Sequence, residues 1–287
     1  MKLDFKKKLK NLIYESYEKR LSSYNSPLIN AKKFTTQLQD FQKYNQNVDF
    51  SLRDNNIVSE FNSKGFVDFQ SKLDPKEFKN LDYQISSQEF DKDINICEKF
   101  PFLINIFQEE ISQIIESIYK TYFYIFYGIL VKKIGITSEP TGSELWHSDG
   151  GPGTCINLMI VTSELTKESG ALELVEFNES KKLLIRMDNE LNNQKFSALP
   201  REDQRKAKVE WLNNHITRVD KSKFYQPIGD RGKIILFRNN TIHKGGFCKK
   251  GFYRNCFIFH IYPSKTKINW NKLINDGIKK TSPIPTI

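Results

Sequence analysis

Histidine is scarce in this chain. There are four in 287 residues: His147, His215, His243 and His260. Any chemistry that needs an imidazole must draw on those four. Cysteine is equally scarce, and Cys97, Cys155, Cys248 and Cys256 form no Cys-x-x-Cys pair. That excludes a disulfide framework as the basis of the fold, and a reducing compartment, the cytoplasm, is expected. Long apolar runs are missing too. The most apolar stretch, Tyr122 to Val131, has the length of a strand rather than of a bilayer span. The first residues carry charges but no apolar segment of the kind a signal peptide needs.

What is abundant is aromatic: 22 Phe and 12 Tyr. Aromatic side chains suit the half-buried surface of a sheet, so a β-rich core follows, and the content argues against disorder. The net charge of +10 is uneven, and from Lys244 onward Asp276 is the one acid among many lysines. Basic ends admit an anionic small molecule, a carrier or a polyanion as partner, and they also serve solubility alone. A small-molecule substrate is expected, nucleic acid is not, and no signal points to an oligomeric state.

Along the chain, Asp4 opens an amphipathic helix to about Leu21, and residues 22–63 read as polar, irregular wrapping. Gly65 to Phe69 reads as a strand. Asp74-Pro75-Lys76-Glu77 carries an N-cap, a proline at the first helical position and an acid at the third. Pro101 opens a helix whose stripe is Ile104, Phe107, Ile111, Ile114, Ile115, Ile118 and Tyr122. Strands are expected at Tyr122–Ile134, Cys155–Val161, Ala171–Phe177, Gly232–Phe237 and Phe252–Tyr262. Residues 178–226 break this pattern with charged, helical sequence, an excursion of the kind that covers a site. The organisation expected is one domain over 1–287. It has an N-terminal helical and irregular wrap at 1–63, a β core at 64–263 with its helical excursion at 178–226, and a peripheral tail at 264–287.

The densest chemistry lies in Glu144-Leu145-Trp146-His147-Ser148-Asp149-Gly150-Gly151. Residues two apart on an extended segment point the same way, so His147 and Asp149 can meet one ion. Two His and one carboxylate on one face of an ion is the donor set of non-heme Fe(II) oxygenases. His243, just after a strand and a turn, is the choice for the third ligand. His215 falls in the charged excursion, and His260, deep in the last strand, is read as a packed core histidine. Trp146, Gly150 and Gly151 would line the substrate side, since a glycine loop can pass close to a ligand. Arg254 lies eleven residues after His243, inside an apolar strand. A buried guanidinium needs an anion, and its planar fork fits a carboxylate. By parity Arg254, Cys256, Ile258 and His260 share one face of that strand, with Tyr253, Phe257 and Phe259 on the other.

His147-x-Asp149, His243 and Arg254 together resemble the Fe(II)- and 2-oxoglutarate-dependent dioxygenases of the phytanoyl-CoA dioxygenase type. Leu165–Val175, Gly229–His243 and Gly65-Phe66-Val67 with the helix after Asp74 add to the likeness, which spans about residues 64–263. The resemblance implies a mainly β fold with flanking helices, a double-stranded β-helix of the jelly-roll, cupin-like kind. It implies Fe(II) on His147, Asp149 and His243, and 2-oxoglutarate chelating the iron with its far carboxylate on Arg254. With O2 as the other co-substrate, it implies hydroxylation with release of succinate and CO2. Relatives often carry a hydroxyl residue two positions after the distal His, where this chain has Gly245. Thr154, Asn157 and Thr241 are the candidates to replace it. The excursion does not match the family closely, so acyl-CoA specificity does not carry over. A carboxylate at Asp149 favours hydroxylation over halogenation. Two other readings share the fold: a catalytically silent jelly-roll binding protein, and an oxygenase acting on a carrier-bound or macromolecular anionic substrate.

Overall fold

Alternation along three strands builds the centre of the molecule. In Ile156–Val161, the isoleucines and Leu158 point to one side while Asn157, Met159 and Val161 point to the other. A computed structural model describes residues 27–51, 56–90, 94–135, 139–140, 142–149, 154–191, 196 and 198–278. The helix expected from Asp4 to Leu21 lies outside them.

The larger sheet has five strands: β1 (Phe66–Gln70), β2 (Tyr122–Ile134), β3 (Ile156–Val161), β6 (Lys233–Arg238) and β8 (Tyr253–Ser264). Their order is β1-β6-β3-β8-β2, and every neighbouring pair is antiparallel. The smaller sheet orders β5 (Phe224–Tyr225), β4 (Glu173–Val175) and β7 (His243–Lys244) as β5-β4-β7, also antiparallel. Leu174 of the smaller sheet packs with Met159, Val161, Ile235, Phe237 and Cys256 of the larger one. The two sheets therefore face each other across an apolar layer, as in a jelly roll.

The outer face of the larger sheet is sealed by helices. These are α1 (Pro27–Tyr44), α2 (Asn56–Lys64), α3 (Pro75–Ser86), α4 (Ile96–Lys99), α5 (Phe102–Ile106) and α6 (Ser112–Tyr119), with a π-helical turn at Phe107–Ile111 joining α5 to α6. Asp74 caps α3 by accepting the Lys76 backbone N–H at 2.9 Å, with Pro75 behind it. Phe100 meets Phe257 and Phe107 meets Phe259 edge to face, at 5.1 Å in each pair.

Three expectations need correction. The stretch 22–63 is not irregular: α1 and α2 occupy much of it. Burial of Phe61 and partial burial of Leu38 and Ile57 against the main core outweigh its polar composition. The strand expected at Ala171–Phe177 shortens to Glu173–Val175. Phe177 already starts α7 (Phe177–Leu191), and Gly170 and Ala171 lie under the backbone of Gly246. The tail is not peripheral throughout. Helix α9 (Trp270–Asp276) sets Trp270 5.7 Å from Phe107, and Leu273, Ile274 and Ile278 pack on the main core. The residues from 279 on, with Lys279 and Lys280, lie outside the described range.

Among the described residues the excursion holds helices α7 and α8 (Arg201–His215), followed by two short 3-10 turns, and it returns to the smaller sheet at β5. Leu183, Leu184, Met187, Trp211 and Leu212 hold them there through a separate apolar cluster. The four cysteines are free and buried. Among the described residues no helix is long and apolar enough to cross a membrane.

Candidate metal centre

Strand β7 is only two residues long, yet it places the first donor. His243 pairs with Leu174 of β4 on one side and with His147 on the other. The latter is a reciprocal bridge. Each histidine N–H donates to the other's carbonyl at 2.9 Å, so the two side chains leave the backbone on the same side, and their ring centroids lie 4.3 Å apart. Asp149 follows two residues later. Its Oδ1 lies 3.6 Å from His147 Nε2 and 3.8 Å from His243 Nε2. One donor atom from each of the three residues falls within 4.8 Å of the others.

Both rings are oriented by the same device. His147 Nδ1 bonds the carbonyl of Leu145 and His243 Nδ1 bonds that of Thr241, each 2.8 Å away and two residues upstream. A carbonyl only accepts, so each Nδ1 carries the proton and each Nε2 offers its lone pair inward. On the acid, Asn157 Nδ2 donates to Asp149 Oδ2 at 2.5 Å, leaving Oδ1 to face the imidazoles.

The electrostatics suit a divalent cation. Burial pushes the Asp149 carboxyl up, but His243 and His147 together outweigh it and hold the group well below the usual carboxylate range. Burial pushes His243 down to about 4, so it is neutral. His147 is also pulled down by burial, yet its bond to Asp149 and the charge of that group leave it raised. One anion and two imidazoles thus share a corner that is buried at His243 and open to solvent at Asp149.

Arg254 occupies the same layer between the sheets. It is 6% exposed, and its Nε and Nη1 have no hydrogen-bond partner among the described residues. Parity along β8 is as expected: Cys256 and Ile258 join the layer between the sheets, while Phe257 and Phe259 join the helix-side core. A Cβ on Gly245 would sit 3.6 Å from Arg254 Nη2 and 3.3 Å from the Ser143 carbonyl. The guanidinium therefore lies beneath the backbone two residues past His243, where a Cβ would touch it at ordinary van der Waals distance and press more tightly on the Ser143 carbonyl.

The other candidates fall as follows. Asn157 is fully buried and serves Asp149. Among the described residues Thr154 and Thr241 have buried hydroxyls without partners, and no hydrogen bond joins either to Arg254. Trp146 turns away from the role of pocket wall. Its indole packs against Val175, Leu183, Trp211 and Ile242 beneath α7 and α8, and Asn213 clamps its backbone N–H and carbonyl at 3.2 and 3.1 Å. The apolar bulk of the ring decides this, and it anchors the segment that presents His147. Gly150 and Gly151 lie outside the described residues. His215 stacks on Trp211 at 3.9 Å, in the excursion rather than the triad. His260 stands opposite Asn157 in the β3–β8 register, half-buried, 5.6 Å from the ring of Tyr127.

Two residues escaped the sequence reading. Lys133 is the register partner of Arg254, and its ammonium is bonded to Glu144. A signal was present: Ile129, Val131 and Lys133 alternate along β2, which puts a lysine on an otherwise apolar face.

No protein-family model matches the chain, and no curated protein matches it. Solved structures do. EctD from S. alaskensis, crystallised with bound Fe, has 14% identity and a TM-score of 0.50, over 72% of this chain and 75% of that one. The non-heme alpha ketoglutarate dependent carbocyclase SnoK from nogalamycin biosynthesis has 13% identity and a TM-score of 0.50, over 76% and 85%. The fold is a double-stranded β-helix. At such identities the likeness speaks for that fold, and the site must speak for its own chemistry.

Proposed function

We propose that the chain, read as one domain, is an Fe(II)- and 2-oxoglutarate-dependent oxygenase that hydroxylates a small molecule. One observation carries this reading: two inward Nε2 atoms and one carboxylate oxygen converge, and the layer between the sheets also holds a buried guanidinium whose Nε and Nη1 have no hydrogen-bond partner among the described residues. An unpaired buried charge is costly, so a structure that keeps one has a use for it. The donor set fits iron, with positions left for a chelating co-substrate and for O2. The orphaned Nε and Nη1 of Arg254 fit the far carboxylate of a 2-oxo diacid. EctD with bound Fe and the ketoglutarate-dependent carbocyclase share the fold, which agrees with this reading and leaves the outcome of the oxidation to this chain's own pocket.

Iron held by His147, Asp149 and His243 would supply the O2-dependent oxidation, with 2-oxoglutarate as the co-substrate that yields succinate and CO2. The protein binds, aims and shields. The carbonyls of Leu145 and Thr241 hold the two rings by their Nδ1 protons. Asn157 occupies Asp149 Oδ2 and keeps Oδ1 turned to the metal. Arg254 fixes the direction in which the co-substrate lies. The apolar layer of Met159, Val161, Ile235 and Cys256 keeps water from the space between the sheets. Helices α7 and α8, packed on Trp146 just before His147, are placed to shape substrate choice. Hydroxylation is the outcome proposed, because Asp149 fills the position that a halide would need.

The test is anaerobic titration of the Fe(II)-loaded protein with 2-oxoglutarate, followed by exposure to O2. A visible charge-transfer band and slow succinate release without substrate are expected. A protein that binds neither iron nor 2-oxoglutarate would leave the silent binding-protein reading in its place.

A further inference from the structure

The pocket around Arg254 holds more positive charge than one guanidinium. Arg254 and Lys133 are directly opposed in the antiparallel pairing of β8 with β2. Val131, two residues before Lys133, packs into the layer between the sheets, so Lys133 projects to the face that carries Arg254. The two charges sense one another. Lys133 is held below the ordinary lysine range, first by burial and then by Arg254, and the buried thiol of Cys248 feels both cations. Against them, among the described residues, stands the carboxylate of Glu144, bonded to Lys133 with its side chain only 8% exposed. Among the described residues, two cations and one anion in this half-buried pocket leave one positive charge unmatched, and the guanidinium atoms without partners are where it is felt. One more carboxylate restores neutrality.

Gly245 sharpens the point. The glycine beside Arg254 offers no hydroxyl, and among the described residues neither Thr154, Thr241 nor Asn157 bonds to the guanidinium. A further strong donor on the face of the guanidinium is the ammonium of Lys133, its register partner. Resting on the oxygenase reading, we propose that Lys133 is the second binding cation of the co-substrate pocket: it takes the far carboxylate of the 2-oxo acid together with Arg254, giving up part of its bond to Glu144. Glu144 lies three residues before His147, so the exchange also links an occupied co-substrate pocket to the segment that presents the metal ligands. A brace that merely fixed this segment would behave differently, because its two halves would be equivalent on mutation.

The experiment uses the full-length, Fe(II)-loaded protein under anaerobic conditions, titrated with 2-oxoglutarate and with 2-oxobutyrate, which lacks the far carboxylate. Lys133→Met is expected to weaken 2-oxoglutarate binding by about tenfold to a hundredfold, the worth of one charge-assisted hydrogen bond. It should leave 2-oxobutyrate and Fe(II) affinity unchanged. Lys133→Arg should restore most of the loss, which guards against a folding defect. Glu144→Gln should tighten 2-oxoglutarate binding, because it removes the competing anion. Wild-type affinity in Lys133→Met would overturn the proposal. So would equal weakening of both ligands and of iron in Lys133→Met and Glu144→Gln, the mark of a brace. If the wild-type protein binds iron but neither 2-oxo acid, the oxygenase reading itself falls and takes this inference with it.

Discussion

The two faces of β8 are made by alternate residues of one strand and do opposite things. Phe257, Phe259 and Ile261 enter a core of helices and aromatic rings and are fully buried there. Arg254, Cys256, Ile258 and His260 face the space between the sheets, where the metal donors and an unpaired guanidinium lie. The first face stabilises the fold; the second holds groups that cost stability until something binds them. The comparison teaches that a strand can separate folding from chemistry by parity alone, provided one face over-determines its position.

If that separation is real, the faces should fail in different ways. The largest effect is expected from Phe257→Ala. Loss of its packing on Phe100 and the helix-side core should cost about 3–5 kcal/mol of stability in a denaturant titration. The iron affinity of the folded protein should stay near wild type; a parallel loss of iron binding would break the comparison. Arg254→Met should do the reverse. Co-substrate affinity should fall about a hundredfold, while the ligand-free protein melts at the same temperature or higher, since an uncompensated buried charge is gone. Calorimetry of the apo form decides it, and a marked drop in melting temperature would mean that Arg254 is part of the core after all. Asn157→Ala removes the donor on Asp149 Oδ2 and should weaken iron about tenfold or somewhat more. Melting should shift little, and a metal titration against a chelator measures the change.

The smallest effect is a proton count. Metal binding needs both Nε2 atoms free. Between about pH 4 and 6.5, His243 has already lost its proton, its affinity pushed down by burial, whereas His147 is raised and keeps its own. Iron affinity should therefore fall as the pH drops through this window, with one proton released per ion. Calorimetry in two buffers of different ionisation enthalpy counts it, and two protons would show that the histidines are equivalent.

Much of this was legible before any coordinates. The spacing of His147 and Asp149, the parity of β8 and the capping signal at Asp74 are local, and local geometry is written in short stretches of chain. The helical character of the excursion was legible as well. Less legible were α1 and α2, whose polar composition hides the few apolar residues, such as Phe61, that a distant core makes decisive. The tail hid Trp270 in the same way. Trp146 looked like a pocket wall because it neighbours His147, but a large indole follows the nearest apolar surface, and that surface belongs to α7 and α8.

The sequence by itself determined which atoms were available: three donors for an ion, one guanidinium for an anion, and the order in which strands would present them. Tertiary structure decided which of them meet. The hydrogen-bonded bridge between His147 and His243 joins residues far apart in the chain, and only sheet pairing could set their rings side by side. The same pairing set Lys133 against Arg254, and it turned Asn157 from a candidate helper of Arg254 into the partner of Asp149. Register is a property of two strands together, so no reading of one strand alone contains it.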